Sequence, residues 1–468
     1  NTAPLERSTP EAEGVPSGAI ERFYKTIENQ ADTTACHAIT ILRHGKVIAE
    51  GAYAPYRLEV PHMLYSMSKS VTGLAVGIAC DEGYLDINER LVEIFPEYVT
   101  NSNAKILKAH TLKHLLTMSS GIRFNEVGSG LDENWMKMFM QSVPKFEAGT
   151  EFDYNSLNSY VLAAAVVKRT GMSLVDFLTP RLFEPLGIRY HEWEKCPMGI
   201  EKGGWGLSLT AEDAAKLGQL CMNMGRWNGK QIVSEEWIRQ ATSVQIKTPN
   251  GEMKHGYGYQ IWQCRHGAFR ADGMYGQFCV VHPATDAILV TNCLTQNMGG
   301  VLNAYFDEVL MKYESDAVTD EPEVTEQLRQ KTANLRYERD LPEDDGSDIP
   351  PEYLNLDAPN VWMRLTLDGD MLTMRNTQGQ LFVTAGRGKW HTIHRAVHCE
   401  PFFTRDKADT PALGAWGMKD GRLTLKIFEP EMVEEDTLTV EKTEQGVHVQ
   451  MRITTTGDEN VFFDQTIS

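Results

Sequence analysis

The sequence predicts a mixed helix-and-strand domain over residues 1–312 and an antiparallel β domain over 356–468, joined by an acidic connector at 313–355. Three observations predict this. Helix-period and alternating segments are interspersed as far as Lys312, as in folds that lay helices on a sheet. From Glu314 to Glu326 and from Asp340 to Asp348 the chain turns acidic and turn-rich, around a helix predicted at Val324–Leu335. From Val361 onward, short alternating segments recur between Asp368-Gly369-Asp370, Gln378-Gly379, Gly386-Arg387-Gly388, Asp420-Gly421 and Glu444-Gln445-Gly446, the rhythm of a sandwich or small barrel.

The 468 residues are enough for two or three domains, and 42% hydrophobic content supports a substantial core. A net charge of -19 and a pI near 5.2 argue against nucleic acid, whose phosphates need a basic surface. The longest apolar runs, Leu74 to Cys80 and Val161 to Val167, fall short of the roughly 18 to 20 residues that span a bilayer, so no membrane span is predicted. Eight cysteines show no paired spacing and no zinc pattern, which points to buried thiols in a reducing compartment and so to the cytoplasm. Because the chain begins at Asn1 without methionine, export after removal of a leader stays open.

In chain order, Ala19 to Ile27 reads as an amphipathic helix capped around Ser17. Ala38 to Leu42 and Val47 to Tyr53 alternate about His44-Gly45, a hairpin signal in which His44 is a polar turn residue. Leu64-Tyr65-Ser66 then opens a run with Val71, Leu74, Ala75, Ile78 and Ala79 at helical spacing, predicting a buried helix. Ser66 and Lys69, three apart, share one face of it. A serine hydroxyl is a poor nucleophile until something takes its proton, and an adjacent lysine can polarise it or accept that proton. Two other Ser-x-x-Lys matches, at Ser102 and Ser142, lie in a polar loop and beside Pro144. His62 lies near Ser66, but histidines without a visible partner are usually structural. Leu85 to Phe95 and Thr111 to Met118 give short helices, the second capped by Thr111. Glu151 to Tyr160 joins a loop to the apolar helix Val161 to Val167, and Gly203 to Asp213 is a glycine-rich loop entering a helix capped by Thr210. Strands follow at Phe269 to Gln277, Phe278 to His282 and Ala287 to Thr291. His391, His394 and His398 make no recognisable metal pattern.

Leu42-Arg43-His44-Gly45-Lys46, Ser66-Met67-Ser68-Lys69-Ser70, Asp81-Glu82-Gly83-Tyr84-Leu85 and the block Thr111 to Gly121 resemble, in that order, the serine β-lactamase and penicillin-binding-protein superfamily. The resemblance runs from about Glu13 to about Lys312 and is strongest to its class C β-lactamase-like esterases and amidases. It implies an α+β, β-lactamase-like fold: an antiparallel sheet flanked by helices, with an all-helical subdomain. It also implies a small-molecule ester or amide substrate and no metal or organic cofactor.

In that family Tyr154 stands at the catalytic tyrosine. A tyrosinate is costly near neutral pH, its reference pKa being about 10, and the Lys69 ammonium would lower that cost. The usual Tyr-x-Asn is here Tyr154-Asn155-Ser156, leaving the Ser156 hydroxyl to position substrate. The usual Lys/His-x-Gly is here Ala271-Asp272-Gly273. The cation that would hold the carboxylate of a β-lactam or peptidoglycan stem is thus absent from that position. Arg270 would point to the opposite face if Ala271 faces the pocket. Gly273 would admit substrate close to the backbone, and Asp272 and Tyr275 complete the substrate-binding set. The N–H groups of Ser66 and Met274 are the expected oxyanion donors. The expected function is ester or small-amide hydrolysis through an acyl-enzyme. The alternatives are a β-lactamase or penicillin-binding D-Ala peptidase and an inactive ligand-binding pseudoenzyme. The C-terminal β domain is expected to pack near the pocket and restrict substrate size.

Overall fold

The computed structural model describes the chain apart from residues 1–3, 32, 125–132, 190, 250–253, 315–316, 320, 337–339, 357–362, 377–378, 396–409, 432–434, 456–457 and 468. Val361, Gln378, His398 and Phe402 therefore lie outside the described residues.

Helix α1 (Ser17–Glu28) buries Ala19, Ile20, Phe23, Tyr24 and Ile27, the apolar stripe legible in the sequence. Ser17 does not cap it. Pro16 holds the cap position, and the Ser17 N–H is taken up by Glu11 Oε1 at 2.8 Å. The strands of the first domain are β1 (Thr34–Arg43), β2 (Lys46–Ala52), β3 (His62–Met63), β4 (Glu192–Trp193), β5 (Leu207–Leu209), β6 (Arg226–Trp227), β7 (Lys230–Gln231), β8 (Trp262–Gln263), β9 (Phe269–Gly273), β10 (Gln277–His282) and β11 (Ala287–Thr295). The main sheet runs β2-β1-β11-β10-β9-β8, antiparallel throughout. Its strands read as apolar runs because both faces are covered. Ile39, Ile41, Phe278, Val280 and Leu289 face α1 and the helix Met298–Glu308. Leu42, Cys279, Val281, Ile288 and Val290 face α2 (Ser68–Asp81) and the helix Ala211–Met222. β3, β5 and β4 form a separate three-stranded sheet beside the start of α2.

Among the described residues between 91 and 186 the regular elements are helices, the longest being Ser156–Thr170. The helix expected over Leu85 to Phe95 shortens to Leu91–Ile94. Asp86 Oδ1 accepts from both the backbone and the side chain of Asn88, a local alternative to helical bonding. The helix after Thr111 stops at Leu116, and Met118 beyond it takes a left-handed φ of 54°.

The acidic segment is divided between two bodies. Its helix, Pro322–Ala333, lies on β2, where Gly51 leaves room for Leu335 and Thr332, and Lys331 pairs with Glu28 at 2.7 Å. Farther on, Asp344 takes both Arg387 nitrogens at 2.9 Å and the Asp345 N–H bonds Met418 O, while Ile349 and Tyr353 sit in the core of the C-terminal domain. That domain comprises β12 (Met363–Asp368), β13 (Met371–Asn376), β14 (Leu381–Arg387), β15 (His391–Arg395), β16 (Thr410–Lys419), β17 (Arg422–Phe428), β18 (Glu435–Thr443), β19 (Gly446–Thr455) and β20 (Asp458–Ile467). They make one sheet, a half-barrel ordered β12-β13-β14-β16-β17-β18-β19-β20 with β15 beside β16, rather than the two stacked sheets of a sandwich. Trp416, Leu423, Leu425, Leu438 and Val440 line its buried face.

Helix α2 is buried nearly all round, and at Gly77 an added Cβ would meet the Trp237 indole at 2.5–2.6 Å. Gly77→Val is expected to cost about 1–3 kcal/mol by overpacking, read as a lower urea midpoint by far-UV circular dichroism. An unchanged midpoint would mean that the indole moves aside freely.

Candidate active site

Ser66 lies in the 3-10 turn Tyr65–Met67 that leads directly into α2. Tyr65, just before it, has a left-handed φ of 48°, a conformation a large side chain adopts only where its surroundings hold it. Here the Tyr65 ring is buried edge-on to Tyr275 at 5.6 Å, in a small cluster with Met63 and Leu294. Ser68 ties the turn to β5: its Oγ donates to Tyr65 O at 2.6 Å and accepts from the Leu207 N–H at 3.1 Å.

Lys69 is 2% exposed. Its Nζ donates to Ser66 Oγ at 2.8 Å and to Gly204 O at 2.8 Å, and it stands 4.8 Å from the centre of the Tyr154 ring. A buried ammonium requires such partners. Gly204 can offer its carbonyl because it has no Cβ; one would meet Ser156 O at 2.7 Å. Thr72 Oγ1 holds the preceding carbonyl, Gly203 O, at 2.7 Å.

Tyr154 stands just before the helix Ser156–Thr170, which Asn155 caps by accepting from the Leu157 N–H at 2.9 Å. Its ring stacks on Trp262, 5.7 Å between centroids and 22° between planes. Ser156 is buried in the first turn of the helix, with its Cβ and carbonyl against Gly204.

β8 pairs with β9 only at Arg270 and Phe269, so the outer edge beyond Arg270 carries no strand partner and faces the Ser66 turn. The side chains alternate here as a strand requires. Arg270 and Asp272 lie on one face, paired at 2.7 Å and both buried, with the guanidinium 5.8 Å from the Trp262 ring. Burial holds the Asp272 carboxyl above its usual range, although Arg270 and Lys69 pull it down. Ala271 lies on the other face. With Met67, Ser70, Val71 and Leu74 it lines an apolar cavity of about 40 Å3 behind the turn. At Gly273 an added Cβ would meet Leu64 O at 2.2 Å, so the missing side chain lets the backbone of the Ser66 turn lie against β9. Met274 is exposed at the turn after β9, and Gln277 Nε2 holds its carbonyl at 3.1 Å. Tyr275 is half-buried against Tyr65.

The structure thus brings Ser66, Lys69 and Tyr154 together, with Ser156 behind Lys69's carbonyl acceptor and Gly273 against the Ser66 turn. Sequence reasoning missed the Gly204 carbonyl, the Trp262 platform and Gln260. The Gln260 Nε2 donates to Leu115 O and Leu116 O, and the Gln260 backbone carbonyl accepts from Ser70 Oγ at 2.7 Å. Only Trp262 carried a sequence signal, an aromatic between the strand-region glycines and Phe269. His44 pairs with the buried Glu13, and the two ring nitrogens of His62 are taken up by His37 and Met63 O. Among the described residues no cluster of His, Cys, Asp or Glu is arranged for a metal, and no helix is long and apolar enough to cross a membrane.

A family model described as Beta-lactamase matches residues 25–308. The 6-aminohexanoate-dimer hydrolase of Paenarthrobacter ureafaciens is 26% identical over 315 residues, 60% of this chain and 79% of that protein. Among solved structures, EstCE1, described as a hydrolase with promiscuous acyltransferase activity, has a TM-score of 0.51 at 18% identity over 62% of this chain and 98% of its own. The octameric penicillin-binding protein homologue from Pyrococcus abyssi has a TM-score of 0.50 at 15% identity over 92% of this chain and 97% of its own, so the likeness of fold extends into the C-terminal sheet.

At Gly273 the approach of Leu64 O leaves no room for a methyl group. Gly273→Ala is expected to push β9 and the Ser66 turn apart and to lower the rate of Ser66 modification by an activated ester about 100-fold, with the fold retained by circular dichroism. A rate within twofold of the parent would show that the turn tolerates the shift.

Proposed function

Because the chain belongs to the beta-lactamase family, we propose that it is a serine hydrolase in which Ser66 attacks an ester or small-amide carbonyl and carries the acyl group until water releases it. The observation that carries this reading is the buried Lys69 ammonium, 2.8 Å from Ser66 Oγ and beside the Tyr154 ring. In that place its charge stabilises the negative charge that either oxygen acquires as the Ser66 proton moves. Lys69 and Tyr154 act as one unit: the proton leaves Ser66 through them and is returned to the departing alcohol or amine. The backbone N–H groups of Ser66 and Met274 are the proposed oxyanion donors, on the two sides of the gap between the turn and β9. Asp272 enters through its backbone at that edge, its carboxyl being engaged by Arg270.

The preference for neutral esters and amides rests on charge. Arg270 is paired with Asp272, and Ala271 occupies the usual cation position. A substrate carboxylate therefore meets no cation on β9. The name of the Paenarthrobacter ureafaciens relative, a 6-aminohexanoate-dimer hydrolase, supports amide hydrolysis, and the description of EstCE1 as a hydrolase with acyltransferase activity supports acyl transfer; neither bears on the charge of the substrate.

A fluorophosphonate is expected to form a covalent adduct at Ser66, located by peptide mass spectrometry; an adduct elsewhere, or full turnover in Ser66→Ala, would defeat the assignment. Lys69→Ala and Tyr154→Phe are each expected to slow acylation by about 100-fold or more, with the double variant little worse than either single one. Losses that multiply would show two independent groups. Hydrolysis of p-nitrophenyl acetate is expected to exceed that of nitrocefin, and comparable turnover would favour the β-lactamase alternative. Saturable binding with neither burst nor turnover across an ester and amide panel would mark a pseudoenzyme.

A further inference from the structure

The C-terminal sheet reaches the nucleophile turn through one buried connection. β17 ends at Phe428, and Phe428, Glu429, Pro430 and Glu431 are all buried, although a connection between adjacent strands ordinarily lies on the surface. They are buried against the first domain. Glu431 O accepts from the Met63 N–H at 2.9 Å, and Met63 is the last residue of β3, three residues before Ser66. β3 pairs with β5 through His62 opposite Leu209 and Met63 opposite Ser208. The two-residue strand that delivers Ser66 is therefore bonded both by β5 and by the C-terminal sheet.

Side chains make a second route to the same residue. The Phe428 ring stands edge-on to Tyr56, 4.9 Å apart at 86°. Tyr56 stacks on His37 at 3.7 Å and 11°. His37 Nδ1 is 2.9 Å from His62 Nε2, and His62 Nδ1 is 2.9 Å from Met63 O. A carbonyl only accepts, so His62 donates from Nδ1, and one proton lies between its Nε2 and His37 Nδ1. Both routes from the C-terminal sheet end on Met63, one at its N–H and the other at its carbonyl.

We propose that Phe428–Glu431 is a positioning element for the nucleophile: the C-terminal sheet fixes β3, and through it the placement of Ser66 Oγ against Lys69 and the β9 edge. The proposal rests on Ser66 being the nucleophile. A strand of two residues has little to hold it alone, and the left-handed Tyr65 that follows needs a fixed frame. Misplacing a nucleophile by an ångström costs rate much more than it costs binding of a small ester.

The test is saturation labelling of the full chain with a fluorophosphonate, which separates the maximal labelling rate from the concentration giving half of it. Phe428→Ala is expected to lower the maximal rate about tenfold or more, with the half-saturating concentration within about twofold. Phe428→Leu, which refills the space, should restore most of the rate. An unchanged maximal rate with a lowered thermal midpoint would overturn the proposal in favour of a purely structural interface. A change confined to the half-saturating concentration would overturn it in favour of control of substrate size. If Phe428→Ala does not fold, Tyr56→Leu removes the other half of the aromatic contact, and its labelling decides by the same criteria. Labelling that persists in Ser66→Ala would strike at the nucleophile assignment itself, a separate failure.

Discussion

The buried ammonium of Lys69 is the constraint on which the arrangement of the first domain turns. Removing such a charge from water costs about several kcal/mol unless its protons are accepted. Its acceptors come from segments far apart in the sequence: Ser66 from the turn before α2, Gly204 O from the glycine-rich loop, and the Tyr154 ring from the approach to the helix Ser156–Thr170. The loop is fixed in turn. Lys202 and Glu194 form a buried pair at 2.6 Å just before it, and Thr72 holds Gly203 O from the next turn of α2. Satisfying one charge therefore brings three parts of the chain together at the serine hydroxyl, and the convergence that stabilises the ammonium also assembles the proposed chemistry.

The turn carrying Ser66 is built under strain and clamped. Tyr65 on one side of the gap and Tyr275 on the other both have positive φ, 48° and 65°, and their rings meet edge-on. Gly273 lets Leu64 O lie against β9, so the turn and the strand edge touch directly, without an intervening side chain. Strain of this kind, of order 1–3 kcal/mol per residue, persists only where packing over-determines it. The buried tyrosine cluster, the Ser68 bonds to β5 and the C-terminal connection at Met63 supply that packing.

What was legible in the sequence follows the range of the interactions. The apolar stripe of α1 was legible because its burial is periodic, and Phe278 to His282 and α2 were legible as apolar runs because they are covered on nearly every side. Ser66 and Lys69 were legible because their contact spans three residues of one turn, and Tyr154 because of its family block. The Gly204 carbonyl was hidden, since a backbone acceptor leaves no residue type to recognise. The inward turn of Ala271 depended on which face of β9 meets α2, and that is set by tertiary packing. The missing Cβ of Gly273 was legible as a point of close approach, but that Leu64 O fills the place of that Cβ was not, because the contact is tertiary. The anchoring of the acidic connector was not legible because Asp344 and Asp345 find their partners, Arg387 and the Asp420 N–H, more than 40 residues away.

Charge on β9 links the fold to the chemistry proposed for it. Arg270 and Asp272, two apart on a strand, necessarily share a face, and at 2.7 Å each satisfies the other in a site where either alone would be costly to bury. The pair packs beneath Trp262, which supports the Tyr154 ring, so its neutrality serves the platform of the proposed proton-handling tyrosine. The same pairing withholds the guanidinium from any ligand. Ala271, turned toward the apolar cavity, adds no charge at the edge. Beside Ser66, β9 thus presents backbone and the half-exposed Met274–Tyr275 turn, so the proposed selection of acyl groups rests on shape and backbone hydrogen bonding rather than on a carboxylate.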